Sequence, residues 1–275
     1  MATKGPGGAR KDGRAATQLR PKELRTSTLT QFDGSAWYTQ GASTVVAAVN
    51  GPMAAKADQE DFRRCVFEVA VARVSSAPAA GGASRSLVNL SRQEREDEDS
   101  ELEQYLQQCL KLLVLVEEMP RCVIQVTMNI IKDDGALFAV AVNAMMCALL
   151  DAGIACRTTI AAVSLIALPS TTGKNLGILL DPTSEEEASL SSSDDAAGGI
   201  AQSTFVFALP QSGGGLVASK VVLPQQLRAG SAVRGMTLKE LAYLEAVGER
   251  AAKVMFEFFR NCSAPLPEEE TEVSL

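Results

Sequence analysis

"CVIQVTMNIIKDDGALFAVAVNAMMCALLDAGI", residues 122–154, changes character in its middle, and that change decides the fold. Its first ten residues read as a long strand, and Asp133-Asp134-Gly135 as a tight turn. Ala136–Leu150 is apolar on every face, which predicts a buried helix that stops near Gly153. Backbone N–H groups at such a helix start point outward and favour anions. Whether this turn holds a phosphate decides whether the chain is an enzyme.

Outward from this stretch, "GSAWYTQG" (34–41) and "STVVAAVNGP" (43–52) read as two strands joined at Gly41, and "CVFEVAVARV" (65–74) as a third. "SSAPAAGGAS" (75–84) is loop. Leu102, Tyr105, Leu106, Cys109, Leu110 and Leu113 lie at the spacing of one helix face, which predicts a helix over 102–116. Downstream, "TTIAAVSLIAL" and "LGILLDP" read as paired strands around "PSTTGKN", and "TFVFALP" and "GLVASKVVLP" as a hairpin. Thr237 and Glu240 form a capping box. Leu241, Leu244, Val247, Ala251, Val254, Met255 and Phe258 follow it at helical spacing. Paired strands broken by single helices predict an α+β protein, not a doubly wound one.

The chain has 275 residues, 46% of them hydrophobic, enough for one large domain or two small ones. A formal charge of −7 argues against a free-standing nucleic-acid binder. Residues 1–30, with seven Lys/Arg against two acids, read as a basic, mobile segment. The acidic blocks 94–103, 181–195 and 268–272 read as solvated loops or tails. The chain therefore divides into that segment, a domain over 31–262 with an acidic low-complexity loop at 184–199, and an acidic tail over 263–275.

Histidine is absent, which excludes imidazole acid/base work, Ser-His-Asp and Cys-His catalysis, and His-ligated zinc within this chain. The six cysteines show no C-x-x-C spacing and read as buried apolar residues of a reducing compartment. Residues 1–14 lack an apolar run, and Ala136–Leu150 is too short to span a bilayer, so a soluble, intracellular protein without a membrane partner is expected. "STTGKN" is not a P-loop, because Leu168 stands at the first glycine position and Asn175 follows Lys174. "SGGGLVAS" precedes strand-like sequence and reads as a hairpin turn. Asp133 with Asp134, or Asp194 with Asp195, offers oxygens to a hard cation. Adjacent acid pairs are common in turns, though, and no third acid converges by sequence, so neither metal nor cofactor is expected.

The ordered set of segments is more telling than any one of them. "RKDGR" (10–14), "LRP" (19–21), "DGSAWYTQGASTVVAAVNGP" (33–52), "DDGALFAVAVNAMMCALLDAGIACR" (133–157) and "LLDPTSEEEA" (179–188) together resemble the RNase PH family. That family comprises phosphorolytic exoribonucleases and their ring-forming relatives in the RNA exosome. "LLDPTSEEE", "TFVFALP" and "VMFEFFR" (254–260) are similar to ring subunits of the ribosomal RNA-processing protein 46 type. The resemblance implies an RNase PH-like fold (ribosomal protein S5 domain 2-like), with two β-α units of mixed sheets packed on helices, assembled into six-membered rings.

For active members the resemblance also implies a Gly-Thr-Arg turn that binds phosphate and a strand-borne carboxylate as the acid. Here the turn is Gly135-Ala136-Leu137, without hydroxyl or guanidinium, and the acid's place falls near Gln202-Ser203. Losing a charge-assisted contact to a transition state costs several kcal/mol, or orders of magnitude in rate. Asp133 and Asp134 are further expected to repel phosphate.

The first expectation is therefore a non-catalytic exosome ring subunit in the nucleus, including the nucleolus, and in the cytoplasm. Its partners would be other RNase PH-like subunits, cap subunits, and single-stranded RNA bound weakly without sequence preference through Arg85, Arg92 and Arg95 before the first long helix. The competing expectations are an active phosphate-dependent exoribonuclease, alone or in a composite site, and an unrelated cytosolic α+β binding protein.

Overall fold

The computed structural model describes residues 10, 12–56, 60–74, 92–168, 176–192, 201–222 and 236–263. The first sheet holds β1 (Lys22–Thr26), β2 (Gly34–Gln40), β3 (Ser43–Ala54), β4 (Val66–Arg73) and β5 (Cys122–Lys132), in the order β1-β2-β3-β5-β4. Helix α1 (Arg92–Leu113) lies between β4 and β5 in the chain, and the two strands pair in parallel; every other pair is antiparallel. The second sheet follows helix α2 (Leu137–Asp151) and holds β6 (Ile160–Leu168), β7 (Gly177–Leu180), β8 (Ala201–Ala208) and β9 (Gly215–Val222) in the order β7-β6-β8-β9. Helix α3 (Ser184–Ser192) joins β7 to β8, and α4 (Leu238–Ser263) packs on β6 and β8.

The structure thus has the expected α+β architecture of two β-α units, with parallel pairing confined to the first sheet. Helix α2 packs on β2 and β3 of one sheet and on β6 of the other, and Ala139–Leu149 is buried throughout. Four alanines in that span keep the helix slim enough to lie between the two sheets. The polar interruption, Asn143, is satisfied by Ala162 of β6: its Nδ2 donates to the carbonyl at 3.0 Å, and its Oδ1 accepts from the N–H at 2.8 Å. Gly34 is required where β2 meets the end of α2, because a Cβ there would lie 2.3 Å from the Ala152 nitrogen.

The capping box of α4 forms, with Thr237 N–H donating to Glu240 Oε2 at 2.8 Å and Glu240 N–H to Thr237 Oγ1 at 3.3 Å. Its buried face carries Leu244, Ala251, Ala252, Met255, Phe256 and Phe259, while Val254, expected inside, is exposed. All six cysteines are free. Among the described residues, no helix is long and apolar enough to cross a membrane.

Three expectations are corrected. The basic segment is not mobile to residue 30, because β1 pairs with β2 and Arg10, Arg14 and Arg20 bond inward to β7 and the residues after it. The acidic block at 94–103 is part of α1 instead of a loop: Glu98 and Asp99 pair with Arg73, and Glu101 pairs with Lys220. The supposed loop at 184–199 begins as α3, with Thr183 N–H donating to Glu186 Oε2 at 3.0 Å as a helix cap. Residues 193–200, with Asp194 and Asp195, and the acidic tail beyond 263 lie outside the described residues.

Candidate functional site

The turn between β5 and α2 is built from two consecutive residues with left-handed backbones, Gly135 at φ +84° and Ala136 at φ +55°. Alanine rarely adopts that conformation, and here surrounding contacts impose it. Ser43 Oγ accepts from Asp134 N–H and donates to the Gly135 carbonyl, both at 3.0 Å. The Arg20 guanidinium donates to the carbonyls of Asp134 (2.7 Å) and Gly135 (3.2 Å). On the other side, a Cβ on Gly135 would lie 2.6 Å from the Thr183 carbonyl carbon and 2.7 Å from the Pro182 oxygen. The turn is therefore pressed directly onto the segment that starts α3.

Two arginines from the N-terminal segment hold that contact. Arg20 Nη2 is 2.7 Å from Asp181 Oδ1, and Arg20 N–H donates to Asp181 Oδ2 at 2.8 Å, with both side chains buried. Burial opposes ionisation of Asp181, but the hydrogen bonds and charge of Arg20 outweigh it and hold the carboxyl below the usual aspartate range. Arg10 grips Glu186 with two parallel bonds of 2.8 and 2.7 Å, and donates to the carbonyls of Leu180 and Asp181.

Fixed in this way, α3 presents Glu187 to the turn. Ala136 N–H, the first free amide before α2, donates to Glu187 Oε1 at 2.8 Å, and Gln202 Nε2 of β8 donates to the same oxygen at 2.5 Å. Burial pushes the Glu187 carboxyl up to about 7, the nearby Asp133 charge adds to the rise, and the Ala136 N–H opposes it. The Ala136 amide before α2 therefore already has its acceptor, and that acceptor is a carboxyl group of the chain itself.

Residues 18–155 match the profile of the 3′ exoribonuclease family, domain 1, the RNase PH family. The chain belongs to the RNase PH family. Its relatives include the exosome complex component Rrp41 of Pyrobaculum neutrophilum, 33% identical over 65% of this chain and 70% of that protein. They also include the exosome complex exonuclease RRP46 homolog of Arabidopsis thaliana, 29% identical over 65% of each chain. The crystal structure of rice Rrp46 has the same fold, with a TM-score of 0.70, 24% identity, and coverage of 92% of this chain and 99% of that one.

The family resemblance implied a phosphate-binding turn at Gly135-Ala136-Leu137. The structure brings Gly135, Ala136 and Leu137 together at the start of α2, as their sequence position requires. Gln202 reaches the same place through Glu187, whereas Ser203 faces the opposite side of the sheet and is buried, its Oγ without a hydrogen-bond partner among the described residues. Arg92 and Arg95 lie in the first turn of α1 instead of a preceding loop, and Arg85 lies outside the described residues.

Asp133 and Asp134 are not free charges guarding the turn. Asp133 accepts from Gly135 N–H at 3.1 Å and faces Arg73 at 3.4 Å; Asp134 accepts from Ser184 Oγ at 3.1 Å and lies 3.6 Å from Arg20. Among the described residues, no group of three or more cysteine or carboxylate side chains is placed to hold a metal ion.

The sequence reading missed Glu187, Arg20 and Asp181 as site residues. The signal for α3 was the capping pattern Thr183-Ser184-Glu185-Glu186, hidden inside an acidic run.

Proposed function

We propose that the chain is a non-catalytic ring subunit of the RNA exosome. It supports 3′-to-5′ RNA processing and degradation by assembling with RNase PH-like neighbours and cap subunits and by guiding RNA toward a nuclease elsewhere. One observation carries this reading: the amide that would receive phosphate at the start of α2 is bonded to Glu187, and the position that would supply a guanidinium is Leu137. A phosphorolytic site must stabilise an added dianion beside an anionic backbone. Here the acidic side chains of Asp133, Asp134 and Glu187 already take donors at the turn, from Gly135 N–H, Ser184 Oγ and Ala136 N–H, and the Arg20 guanidinium is committed to Asp181 and two carbonyls. The names of the relatives in archaea and plants, as exosome complex proteins, support membership of that complex.

A second candidate surface for weak RNA contact lies around Phe62. Phe62 is 69% exposed, the Arg121 guanidinium stacks 4.8 Å from its ring centre, and Arg63 and Arg64 are exposed beside it. An aromatic face flanked by guanidiniums suits stacking on unpaired bases and neutralising phosphates without reading sequence. We place the subunit where exosomes process RNA, in the nucleus, including the nucleolus, and in the cytoplasm.

The test is to purify the native complex through a tag on this chain, identify its members, and assay the isolated chain for phosphate-dependent release of nucleoside diphosphates. Exosome subunits in the complex and no phosphorolysis by the chain are expected. Robust phosphorolysis by the chain alone would overturn the reading.

A further inference from the structure

Strands β4 and β5 pair in parallel with Val66 opposite Val123. Cys65 and Cys122 stand one residue before that pair, so both lie on the sheet face that carries Phe67 and Ile124 into the core. In-register neighbours on adjacent strands are about 4.8 Å apart, within the roughly 4.4–6.8 Å between the α-carbons of a disulfide. Both thiols are free. They also sense each other: burial pushes the Cys65 thiol up to about 11, the Cys122 charge adds to the rise, and the Ile124 N–H opposes it. Cys65 is buried and Cys122 part-exposed, so Cys122 is the member that a small reagent reaches first. Cys147 and Cys262 feel each other's charge too, but they come from two helices, with no strand register to fix their separation.

The two cysteines lie at a junction between chain segments. Cys65 N–H donates to the Val116 carbonyl and Arg121 N–H to the Asp61 carbonyl, both at 3.0 Å. The contact between the Arg121 guanidinium and the Phe62 ring crosses the same junction. We propose that Cys65 and Cys122 form a redox-sensitive dithiol that a hydroperoxide closes to a disulfide, stapling the 60–65 segment to the start of β5. The Cys122 thiolate attacks one peroxide oxygen, the O–O bond breaks, and the departing oxygen leaves as water, giving a sulfenic acid on Cys122. The Cys65 sulfur then attacks the Cys122 sulfur. The S–O bond breaks, and the hydroxyl leaves with the Cys65 proton as a second water. Two thiols are oxidised and one peroxide is reduced to two waters. Thiol exchange with a reductant reopens the bond, so in a reducing compartment the staple is transient.

The experiment treats the full, reduced chain with increasing hydrogen peroxide, blocks the remaining thiols, and maps disulfides by mass spectrometry of unreduced peptides. A Cys65–Cys122 linkage is expected, two hydrogens lighter than the separate peptides and reversed by a thiol reductant. In C65S, Cys122 should stop at the sulfenic acid, which dimedone traps; C65A serves if C65S does not fold. Exposed Cys262 reports that peroxide has acted. Oxidation of Cys262 with Cys65 and Cys122 still unlinked overturns the proposal in wild type alone, without any variant. A disulfide joining either residue to another cysteine overturns it as well. In the linked protein, hydrogen exchange at the Cys65 and Arg121 amides should slow by about threefold or more. Unchanged exchange at both would overturn the staple.

Discussion

Arg20 and Asp181, 161 residues apart, form a buried ion pair at 2.7 Å, their side chains 4% and 1% exposed. The same guanidinium holds the carbonyls of Asp134 and Gly135, so one side chain joins the N-terminal segment, the α2 turn and the approach to α3. Removing Asp181 leaves the buried Arg20 charge with only the longer Asp134 contact at 3.6 Å and two carbonyls. D181N should therefore lower stability by about 3–5 kcal/mol in urea unfolding. The paired change R20M/D181L, which removes both charges, should recover part of that loss. A D181N loss below about 1 kcal/mol would show that the pair does not anchor the turn.

Gly135 has a backbone conformation and a close contact that only a glycine accommodates at that position. At φ +84° any side chain is strained, and its Cβ would overlap the Pro182–Thr183 backbone at 2.6–2.7 Å. G135A should destabilise the protein by about 2 kcal/mol or more, and should increase hydrogen exchange at the Ala136 amide by pushing α3 away. G153A makes a suitable control, since Gly153 also has a positive φ, +66°, but its Cβ would meet nothing within 4 Å. Equal losses in the two variants would mean that backbone strain, not contact with α3, sets the cost.

The long, strongly patterned elements were legible because each carries its own periodicity. The strand at 122–132, the all-apolar α2 and the capping box of α4 all declare themselves locally. Strand β1 did not, because Lys22-Glu23-Leu24-Arg25-Thr26 is mostly polar and becomes a strand only by pairing with β2. Helix α3 was masked by acidity: Glu185, Glu186 and Glu187 read as a solvated run, yet two of the three bond inward, to Arg10 and to the Ala136 amide. The turn at Gly135-Ala136-Leu137 was located by position alone. What fills it could not be, since nothing local links residue 136 to residue 187.

Glu187 also sets a pH dependence. Its carboxyl titrates at about 7 in the fold, against an ordinary value of 4.5, so between those values the folded chain holds a proton that the unfolded chain has lost. The protein's stability from this group is full below about 4.5 and falls as pH rises through about 7, a loss on the order of 3 kcal/mol. Asp181 acts in the opposite sense and over a lower range: its depressed carboxyl adds stability above its ordinary 3.8, lost as pH falls through the folded value. E187Q should therefore flatten the decline between pH 4.5 and 7. It should also be more stable than wild type at pH 8, as read from denaturant midpoints across pH. An unchanged slope in E187Q would assign the decline to other groups.

If the surface around Phe62 meets RNA, as proposed, Phe62 and its neighbouring arginines should contribute to binding in separable ways, and that separation tests the surface. Each arginine that neutralises a phosphate releases counterions, so R63A or R64A in the assembled complex should reduce the salt slope of single-stranded RNA binding by about 0.7. Phe62 contributes stacking, which salt barely touches. F62A should weaken binding by about 1–3 kcal/mol per stacked base while leaving the slope unchanged. It also frees Arg121 from its ring, 4.8 Å away, without removing the Glu60 partner at 3.4 Å, so no unpaired charge confuses the result. Fluorescence anisotropy with a short oligouridine at several salt concentrations reads both quantities. If F62A, R63A and R64A all match wild type in affinity and slope, the RNA path lies elsewhere on the subunit.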